Sequence, residues 1–245
     1  YHHFFYNNIN YITGATGQGK STQMPKLYAY SFKAFQFISN PKIICTQPRF
    51  DPTEGNANWV SQEVGLPISY TKNKTRFNTT NYQLQFKHSK DSHVKENCYH
   101  PYIRYVTDGT ILNILKNNTF MRQQYYDIIG KKWVTVDKST VYHAILVDEA
   151  HEHNTNMDLI LSDIRLTCMI NKKIKLGIIS ATMDDDEPVY RGYYREVNQP
   201  YSNSYWIDPR MHISPPGKTT KFKINEFYSK DENSMETFSR TISEV

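Results

Sequence analysis

Glycine, cysteine and long apolar runs are all scarce in this chain of 245 residues. No apolar stretch approaches the ~20 residues that a bilayer span needs, which excludes a protein built on membrane-spanning helices. The three cysteines, Cys45, Cys98 and Cys168, are widely spaced and form no CxxC pair. This spacing argues against a disulfide scaffold or a zinc site and favours a reducing, intracellular compartment.

The apolar fraction is low at 38%, but aromatic residues make up 14% of the chain, so a folded core is still expected. The net charge of +5 is a mild basic bias that permits nucleic-acid binding without requiring it. The chain starts at Tyr1 rather than Met and shows no signal peptide or Arg-rich leader. We therefore expect a segment of a longer protein, with one domain and part of the next.

Five short apolar runs, each followed by polar residues, organise the first 180 residues: 9–13, 42–46, 103–107, 143–147 and 175–179. Helical spacing lies between them. Residues 154–168 carry an apolar face after a start signal at Thr155 and Asn156, and Asp108 is the expected cap of another helix. Strands that alternate with helices predict an α/β fold, with a mainly parallel sheet and helices on both faces. Since such sheets bind ligands at the carboxyl ends of their strands, the polar clusters there are the expected site.

Three other stretches give weaker predictions. Residues 71–100 are polar and predict a surface excursion with a short strand, and residues 190–216 are expected to be irregular. Alternation over 221–224 predicts an exposed strand, followed by a helix capped by Asn233. The acidic run at 184–187, followed by Pro188, is better explained as a helix start than as a metal site.

The most informative motif concentrates three of the ten glycines in one window. Residues 14–21 read GATGQGKS and fit the pattern GxxxxGK[ST], between a predicted strand and a predicted helix. In this pattern backbone N–H groups cradle phosphates, the lysine reaches the β- and γ-phosphates, and the hydroxyl binds Mg²⁺. A chance glycine-rich turn is the alternative, and the strand–helix context disfavours it. The candidate ATP-binding residues are Gly14, Thr16, Gly17, Gln18, Gly19, Lys20, Ser21 and Thr22.

A second cluster, Asp148-Glu149-Ala150-His151, ends an apolar run. Asp148 suits a Mg²⁺ ion opposite the glycine loop, and Glu149 suits a general base for the attacking water beside the same ion. The candidate metal contacts are therefore Ser21, Asp148 and Glu149, and the candidate catalytic residues include Lys20 and Glu149. A solvated acidic turn would be favoured only if the cluster stood alone. His151-Glu152-His153 does not match HExxH, which argues against zinc.

With these two clusters, the chain resembles the first RecA-like lobe of a DEAH-box helicase of superfamily 2. The motifs that carry the resemblance are residues 14–25, 46–49 (TQPR), 106–109 (VTDG), 148–151 (DEAH) and 180–182 (SAT). They follow the order of the class and cover about residues 9–185. Residues 183–190 and 208–218 are more similar to helicases of large DNA viruses, of poxvirus-like or giant-virus type, than to cellular splicing helicases.

The resemblance implies a RecA-like P-loop NTPase lobe over residues 1–218, then a linker strand and the start of a second lobe over 219–245. It implies ATP and Mg²⁺ as cofactors and single-stranded nucleic acid as partner, with RNA favoured over DNA. It also places a strand-binding surface at Arg49, Thr107, Asp108 and Gly109. The resemblance further implies that His151 is a third candidate catalytic residue beside Lys20 and Glu149. It assigns the coupling between ATP and the strand-binding surface to His151, Ser180 and Thr182.

Two positions depart from the class pattern. Phe50 stands where a second arginine is usual, which removes one phosphate contact. Trp59 stands where the class often places an arginine on the adenine. A tryptophan there either stacks on the base or belongs to the core, and the sequence favours neither.

Three functions are therefore open. The first is an ATP-driven RNA helicase or translocase whose lobe binds Mg·ATP but hydrolyses it poorly, because the sequence has no QRxGRxGR motif to supply an arginine finger. The second is a DNA-directed P-loop ATPase or translocase. The third is a catalytically weak nucleic-acid-binding module, which the intact Lys20, Asp148 and Glu149 disfavour.

Overall fold

A computed structural model of the chain describes residues 2–65, 85–88, 101–152, 154–183, 186–198 and 208–213. All of them belong to one unit, Tyr1–Ser214. The strand expected at 221–224, the helix after Asn233 and the start of a second lobe at 219–245 lie outside the described residues. The division of the chain near residue 218 stays a prediction.

Helices and strands alternate along the described chain. In order they are α1 (His2–Tyr6), β1 (Ile9–Thr13), α2 (Lys20–Phe35), β2 (Lys42–Gln47), α3 (Phe50–Glu63), β3 (Gln85–His88), β4 (Tyr102–Thr107), α4 (Asp108–Asn117), β5 (Gln124–Asp127), β6 (Lys132–Thr135), β7 (Ala144–Val147), α5 (Thr155–Ile170), β8 (Lys175–Ser180), α6 (Glu187–Tyr193), α7 (Arg195–Asn198) and β9 (Arg210–His212). A single 3-10 turn, Ala150–Glu152, lies between β7 and α5. No described helix combines the length and the apolar character that crossing a membrane requires.

Seven strands form one sheet in the order β3-β4-β2-β7-β8-β1-β9. Every neighbouring pair in this sheet is parallel. Strands β5 and β6 form a separate antiparallel hairpin between α4 and β7. The predicted parallel α/β fold is therefore confirmed, and each of the five predicted strands is present to within one or two residues.

Successive strand residues point to opposite sides of the sheet, and the strands are apolar on both sides. Helices therefore cover both faces, which buries these side chains. Ile9 and Tyr11 of β1 belong to the apolar cluster that contains Met157 of α5. Ile12, between them and the loop, belongs to the opposite cluster, which contains Phe32 of α2. The sheet is thus buried on both sides, as the near-continuous apolar runs predicted.

The strand register brings the predicted polar clusters to one edge of the sheet. Thr46 pairs with Val147, so the residues that follow them, Gln47 and Asp148, are neighbours. On the other side, Thr13 pairs with Ser180. The glycine loop, the DEAH turn and the SAT turn therefore meet at the carboxyl ends of adjacent strands.

Two predictions about helix starts were wrong in detail. Asn154, rather than Thr155 or Asn156, caps α5, because its Oδ1 accepts a hydrogen bond of 2.9 Å from the N–H of Met157. Asp108 does not cap α4 but is its first residue. Its Oδ2 instead accepts a hydrogen bond of 3.0 Å from Asn154.

The prediction that residues 190–216 are irregular was also wrong where that segment is described. Residue 190 lies inside α6, α7 follows at Arg195–Asn198, and β9 adds an edge strand beside β1. The aromatic residues of this segment have a structural use, since Tyr194 is buried and its hydroxyl donates to the carbonyl of Leu161 over 2.7 Å. The short strand expected within 71–100 is present at Gln85–His88.

Candidate functional site

The glycine loop joins β1 to α2 and needs glycine for two reasons. Gly17 and Gly19 have φ of 80° and 76°, in the left-handed region that side chains disfavour. At Gly14 the backbone passes close to β9, and an added Cβ would lie 2.8 Å from the carbonyl oxygen of Ile213. The loop conformation therefore depends on the three clustered glycines.

Lys20 opens α2 directly after this loop and is almost fully buried. Its ammonium donates hydrogen bonds to the carbonyl oxygens of Gly14 and Ala15, over 2.6 and 2.9 Å. The charge is thus held inside the loop, beside the first N–H groups of a sixteen-residue helix. Exposed helix N–H groups and a fixed cation at one place form a site for phosphate oxygens.

Asp148 follows β7 and is completely buried. Its Oδ2 accepts a hydrogen bond of 2.7 Å from Gln47, and its Oδ1 accepts one of 3.0 Å from the N–H of Glu149. Burial raises the pKa of Asp148, while side-chain hydrogen bonds from Ser21 and Gln47 lower it. The Ser21 side chain, predicted with Asp148 as a Mg²⁺ ligand from a distant part of the sequence, therefore lies close enough to the Asp148 carboxylate to lower its pKa.

These residues fit a magnesium-bound nucleotide. The described residues contain no cluster of three or more His, Cys, Asp or Glu side chains that would hold a metal by themselves. Mg²⁺ in nucleotide sites usually takes only one or two protein oxygens and completes its shell with phosphates and water. A hydroxyl and a carboxylate next to a phosphate loop, as in Ser21 and Asp148, match that requirement.

Glu149, His151 and Ser180 connect the ends of β7 and β8. Glu149 has a φ of 54°, an uncommon conformation for a residue with a side chain and one that is frequent at functional sites. Nδ1 of His151 lies 3.4 Å from Oε2 of Glu149 and 3.4 Å from Oγ of Ser180. Ser180 in turn accepts a hydrogen bond of 3.2 Å from the N–H of Thr182. The predicted general base is thus linked through one imidazole to the predicted coupling residues.

The residues predicted to contact a nucleic acid differ in exposure. The Arg49 side chain is 77% exposed, with Nη2 at 3.9 Å from Oε1 of Glu152. Among the described residues, nothing lies within 4 Å of the position that a Cβ on Gly109 would take, so this part of the chain leaves the backbone open to a ligand. Asp108 is buried, and burial raises its pKa. The Thr107 hydroxyl lies 3.0 Å from that of Thr110.

Trp59 is not a core residue, because 63% of it is exposed. It lies on α3 one turn before Glu63, on the same side of the helix. Glu63 accepts a hydrogen bond of 3.0 Å from Gln23 and pairs with Lys26, and both of these residues lie on α2, which starts at the glycine loop. The core interpretation of Trp59 is therefore wrong, and an exposed ring beside α2 remains.

Known proteins that are similar in sequence to this chain are ATP-dependent RNA helicases. A scan against models of protein families finds no match. A protein of Acanthamoeba polyphaga mimivirus named "Putative ATP-dependent RNA helicase" is 46% identical over 257 residues, which cover 96% of this chain and 14% of the relative. The chain belongs to the family of ATP-dependent RNA helicases.

Cellular members of this helicase family are more distant. A Saccharomyces cerevisiae protein named "Probable ATP-dependent RNA helicase" is 31% identical over 191 residues, or 73% of this chain and 12% of the relative. The ATP-dependent RNA helicase HrpA of Borreliella burgdorferi is 26% identical over 178 residues, or 73% of this chain and 17% of the relative. The chain thus spans about a sixth or less of the length of these helicases.

One residue of this helicase site was missed by sequence reasoning. Gln47 was noted only as part of the TQPR motif, whereas its amide donates directly to Asp148. Gln47 could have been identified as a polar residue at the end of the strand next to the one that precedes Asp148. That identification requires the order of strands in the sheet, which the sequence did not provide.

Proposed function

We propose that this chain is the nucleotide-binding lobe of a DEAH-box RNA helicase, which binds Mg·ATP at the glycine loop and single-stranded RNA at the same edge of the sheet. The observation that carries the proposal is that the glycine loop and the buried Asp148 meet at the carboxyl ends of neighbouring parallel strands, where Ser21 lies near the Asp148 carboxylate. Lys20 and Ser21 open α2 directly after the glycine loop, and the Lys20 side chain is buried with its ammonium on the carbonyl of Gly14.

Each residue of the site has a defined task in this proposal. The N–H groups of the loop and Lys20 bind the β- and γ-phosphates, and Ser21 and Asp148 hold the metal. A bound Mg²⁺ neutralises phosphate charge. Glu149 orients and deprotonates the attacking water, and its contact with His151 passes the state of the site to Ser180.

The strand-binding surface in this proposal consists of Arg49 and the turn at Thr107 and Gly109. An exposed guanidinium, a hydroxyl and an open glycine suit the sugar–phosphate backbone rather than base edges. Binding without sequence preference follows, as expected for a motor that moves along RNA. Asp108 serves this surface indirectly, because its carboxylate holds the start of α4 against Asn154.

The proposal includes slow hydrolysis by residues 1–245 alone. The sequence contains no QRxGRxGR motif, and phosphoryl transfer in related motors often needs an arginine finger in addition to Lys and Mg²⁺. We expect that finger to come from a second RecA-like lobe. The chain should therefore bind Mg·ATP and turn it over only slowly.

The test measures binding and turnover in one preparation of the 245-residue chain. Labelled single-stranded RNA and DNA of the same sequence are titrated with the protein in the presence of a non-hydrolysable ATP analogue and Mg²⁺. RNA should bind more tightly than DNA. In a parallel assay with ATP itself, RNA should accelerate hydrolysis only weakly. Tighter binding of DNA would support a DNA-directed translocase instead. Strong RNA-stimulated hydrolysis would contradict the expectation that this chain needs an arginine finger from a second lobe.

A further inference from the structure

A large cavity lies at the opposite edge of the sheet, away from the glycine loop. Its volume is about 1550 Å³, and it is lined by residues that precede strands, among them Asn8 before β1 and His143 before β7. The strands between the two edges contain four to six residues. At about 3.3 Å per residue, the cavity lies roughly 15–20 Å from the nucleotide site.

The lining of this cavity is basic. Lys138, Lys172, Lys173 and Arg195 line it, and none of them forms an ion pair with a described residue. Asp137 is the one acidic residue in the described lining, and it pairs with Arg122 over 3.2 Å. The cavity therefore carries positive charge that the described part of the chain does not neutralise, and its expected ligand is an anion.

The β5–β6 hairpin rises from the rim of the cavity. Gln123, just before β5, and Val136, just after β6, both line the cavity. Along the hairpin, Tyr126 and Trp133 face each other across the two strands with ring centroids 5.5 Å apart. The ring planes are 67° apart, an edge-to-face arrangement, and the two residues are 48% and 68% exposed, so each ring keeps surface that is open to a ligand.

The hairpin also carries charge next to its rings. Lys131 and Lys132 stand at its turn, one of them cross-strand from Asp127. Basic side chains interleaved with exposed aromatic rings are the arrangement by which proteins bind single-stranded nucleic acid, because lysines follow the phosphates and rings stack on the bases. An acidic protein segment would use the lysines but has no need of exposed ring faces.

We propose that the β5–β6 hairpin and the basic cavity at its base form a second binding surface for single-stranded RNA, on the amino edge of the sheet. This inference rests on the proposed function, since it assigns the same ligand to a second place. Phosphates bind Lys138, Lys172 and Lys173, and bases stack on Tyr126 and Trp133. An RNA strand that reaches both edges is held at two points on opposite sides of the nucleotide-binding sheet.

The test is a fluorescence anisotropy titration of labelled oligouridylate with the 245-residue chain. Trp133→Ala should weaken binding at least about fivefold, because the loss of one stacking contact costs about 1–3 kcal/mol. Lys172→Ala/Lys173→Ala should also reduce the slope of log affinity against log salt by about 1.4, since each phosphate contact on a single strand contributes about 0.7. Thermal melts of each variant check that the fold is retained.

Matched controls keep the result specific. Tyr30→Ala removes an equally exposed aromatic residue from α2, and Lys172→Arg/Lys173→Arg keeps both charges. Both controls should bind RNA like the wild type. Unchanged affinity and salt slope in the hairpin and lysine variants would overturn the inference and would point to a protein partner for this surface.

Arg49→Ala separates this inference from the proposed function. If Arg49→Ala weakens RNA binding while the hairpin and lysine variants do not, the second surface is wrong and the proposed function stands. If all of them weaken binding, both are supported. Absence of RNA binding by the wild type, with Mg·ATP binding intact, would overturn both the RNA part of the proposed function and this inference.

Discussion

The side-chain amide of Gln47 donates a hydrogen bond of 2.7 Å to the buried carboxylate of Asp148, from the end of β2 to the end of β7. The strands are neighbours, and Thr46 and Val147 pair one residue earlier. Burial favours the protonated form of Asp148, and hydrogen bonds from Ser21 and Gln47 oppose it. Gln47 therefore helps to keep Asp148, the proposed metal ligand, ionised within the fold.

Gln47→Leu should weaken Mg·ATP binding, because the pKa of Asp148 rises without this donor and a protonated carboxyl must lose its proton to hold Mg²⁺; the loss is about tenfold for each unit by which the new pKa exceeds the pH. The loss should be larger at lower pH, since the pKa of Asp148 rises further without this donor. Calorimetric titrations at low and neutral pH measure both effects. Gln62→Leu, at an exposed position on α3, is the control and should bind like the wild type. Equal affinities for Gln47→Leu and Gln62→Leu would contradict this role.

Trp59→Ala should weaken ATP binding by about twofold to tenfold, as expected for the loss of one stacking contact worth about 0.5–1.5 kcal/mol. The same variant should bind inorganic tripolyphosphate as tightly as the wild type, because that ligand has no base. Competition titrations with both ligands make the comparison. Tyr30→Ala serves as the exposed-aromatic control. An equal loss for both ligands would show that Trp59 supports the loop rather than the adenine.

The stability of the fold should fall in mild acid because of His143. Burial, together with the positive charges of Lys42 and Lys173, lowers the pKa of His143 from 6.5 to about 4. Its Nδ1 accepts a hydrogen bond of 3.1 Å from the N–H of Lys42, which a protonated ring could not do. Between these pH values the unfolded chain binds a proton that the folded chain does not, so the free energy of unfolding decreases as the pH falls from about 6.5 to 4.

His143→Asn should remove this part of the pH dependence, which amounts to at most about 3 kcal/mol. The Asn Oδ1 can still accept from Lys42, and the side chain does not titrate. Urea unfolding of both proteins at a series of pH values gives the difference directly. Parallel profiles for the wild type and His143→Asn would show that His143 does not titrate as described.

Gly177 of β8 should not tolerate a side chain. A Cβ there would lie 2.6 Å from Cδ2 of Leu146 and 3.1 Å from Cδ1 of Ile12, both within the sheet. Gly177→Ala should therefore destabilise the fold by about 1–3 kcal/mol. Gly55→Ala is the matched control, since no described residue lies within 4 Å of its Cβ position inside α3, and it should stabilise by about 0.5–1 kcal/mol. Thermal melts of both variants distinguish packing from backbone entropy.

The main features of the site could be predicted because they are local in the sequence. The glycine loop, Lys20 and Ser21 follow one apolar run, and Asp148 follows another. Parallel strands then bring their carboxyl ends together, so the proximity of Ser21 to Asp148 follows from the fold. The near-continuous apolar runs are also local in the sequence, and they predict the positions of β1, β2, β4, β7 and β8.

Other features could not be predicted because they depend on tertiary contacts. The β5–β6 hairpin has largely exposed side chains, so it lacks the apolar alternation that marks a strand. Strand β9 has three residues and is defined by its pairing with β1. Asp108 has the sequence signature of a helix cap, yet its carboxylate accepts a hydrogen bond from Asn154, 46 residues away.

Calorimetric titration of the 245-residue chain with Mg·ATP measures whether Lys20 binds the nucleotide. Lys20→Ala should lower the affinity by about tenfold or more, since it removes charged hydrogen bonds to phosphate worth about 1.5–3 kcal/mol. Lys33→Ala, at an exposed position on the same helix, should bind like the wild type. Wild-type affinity in Lys20→Ala would contradict the account.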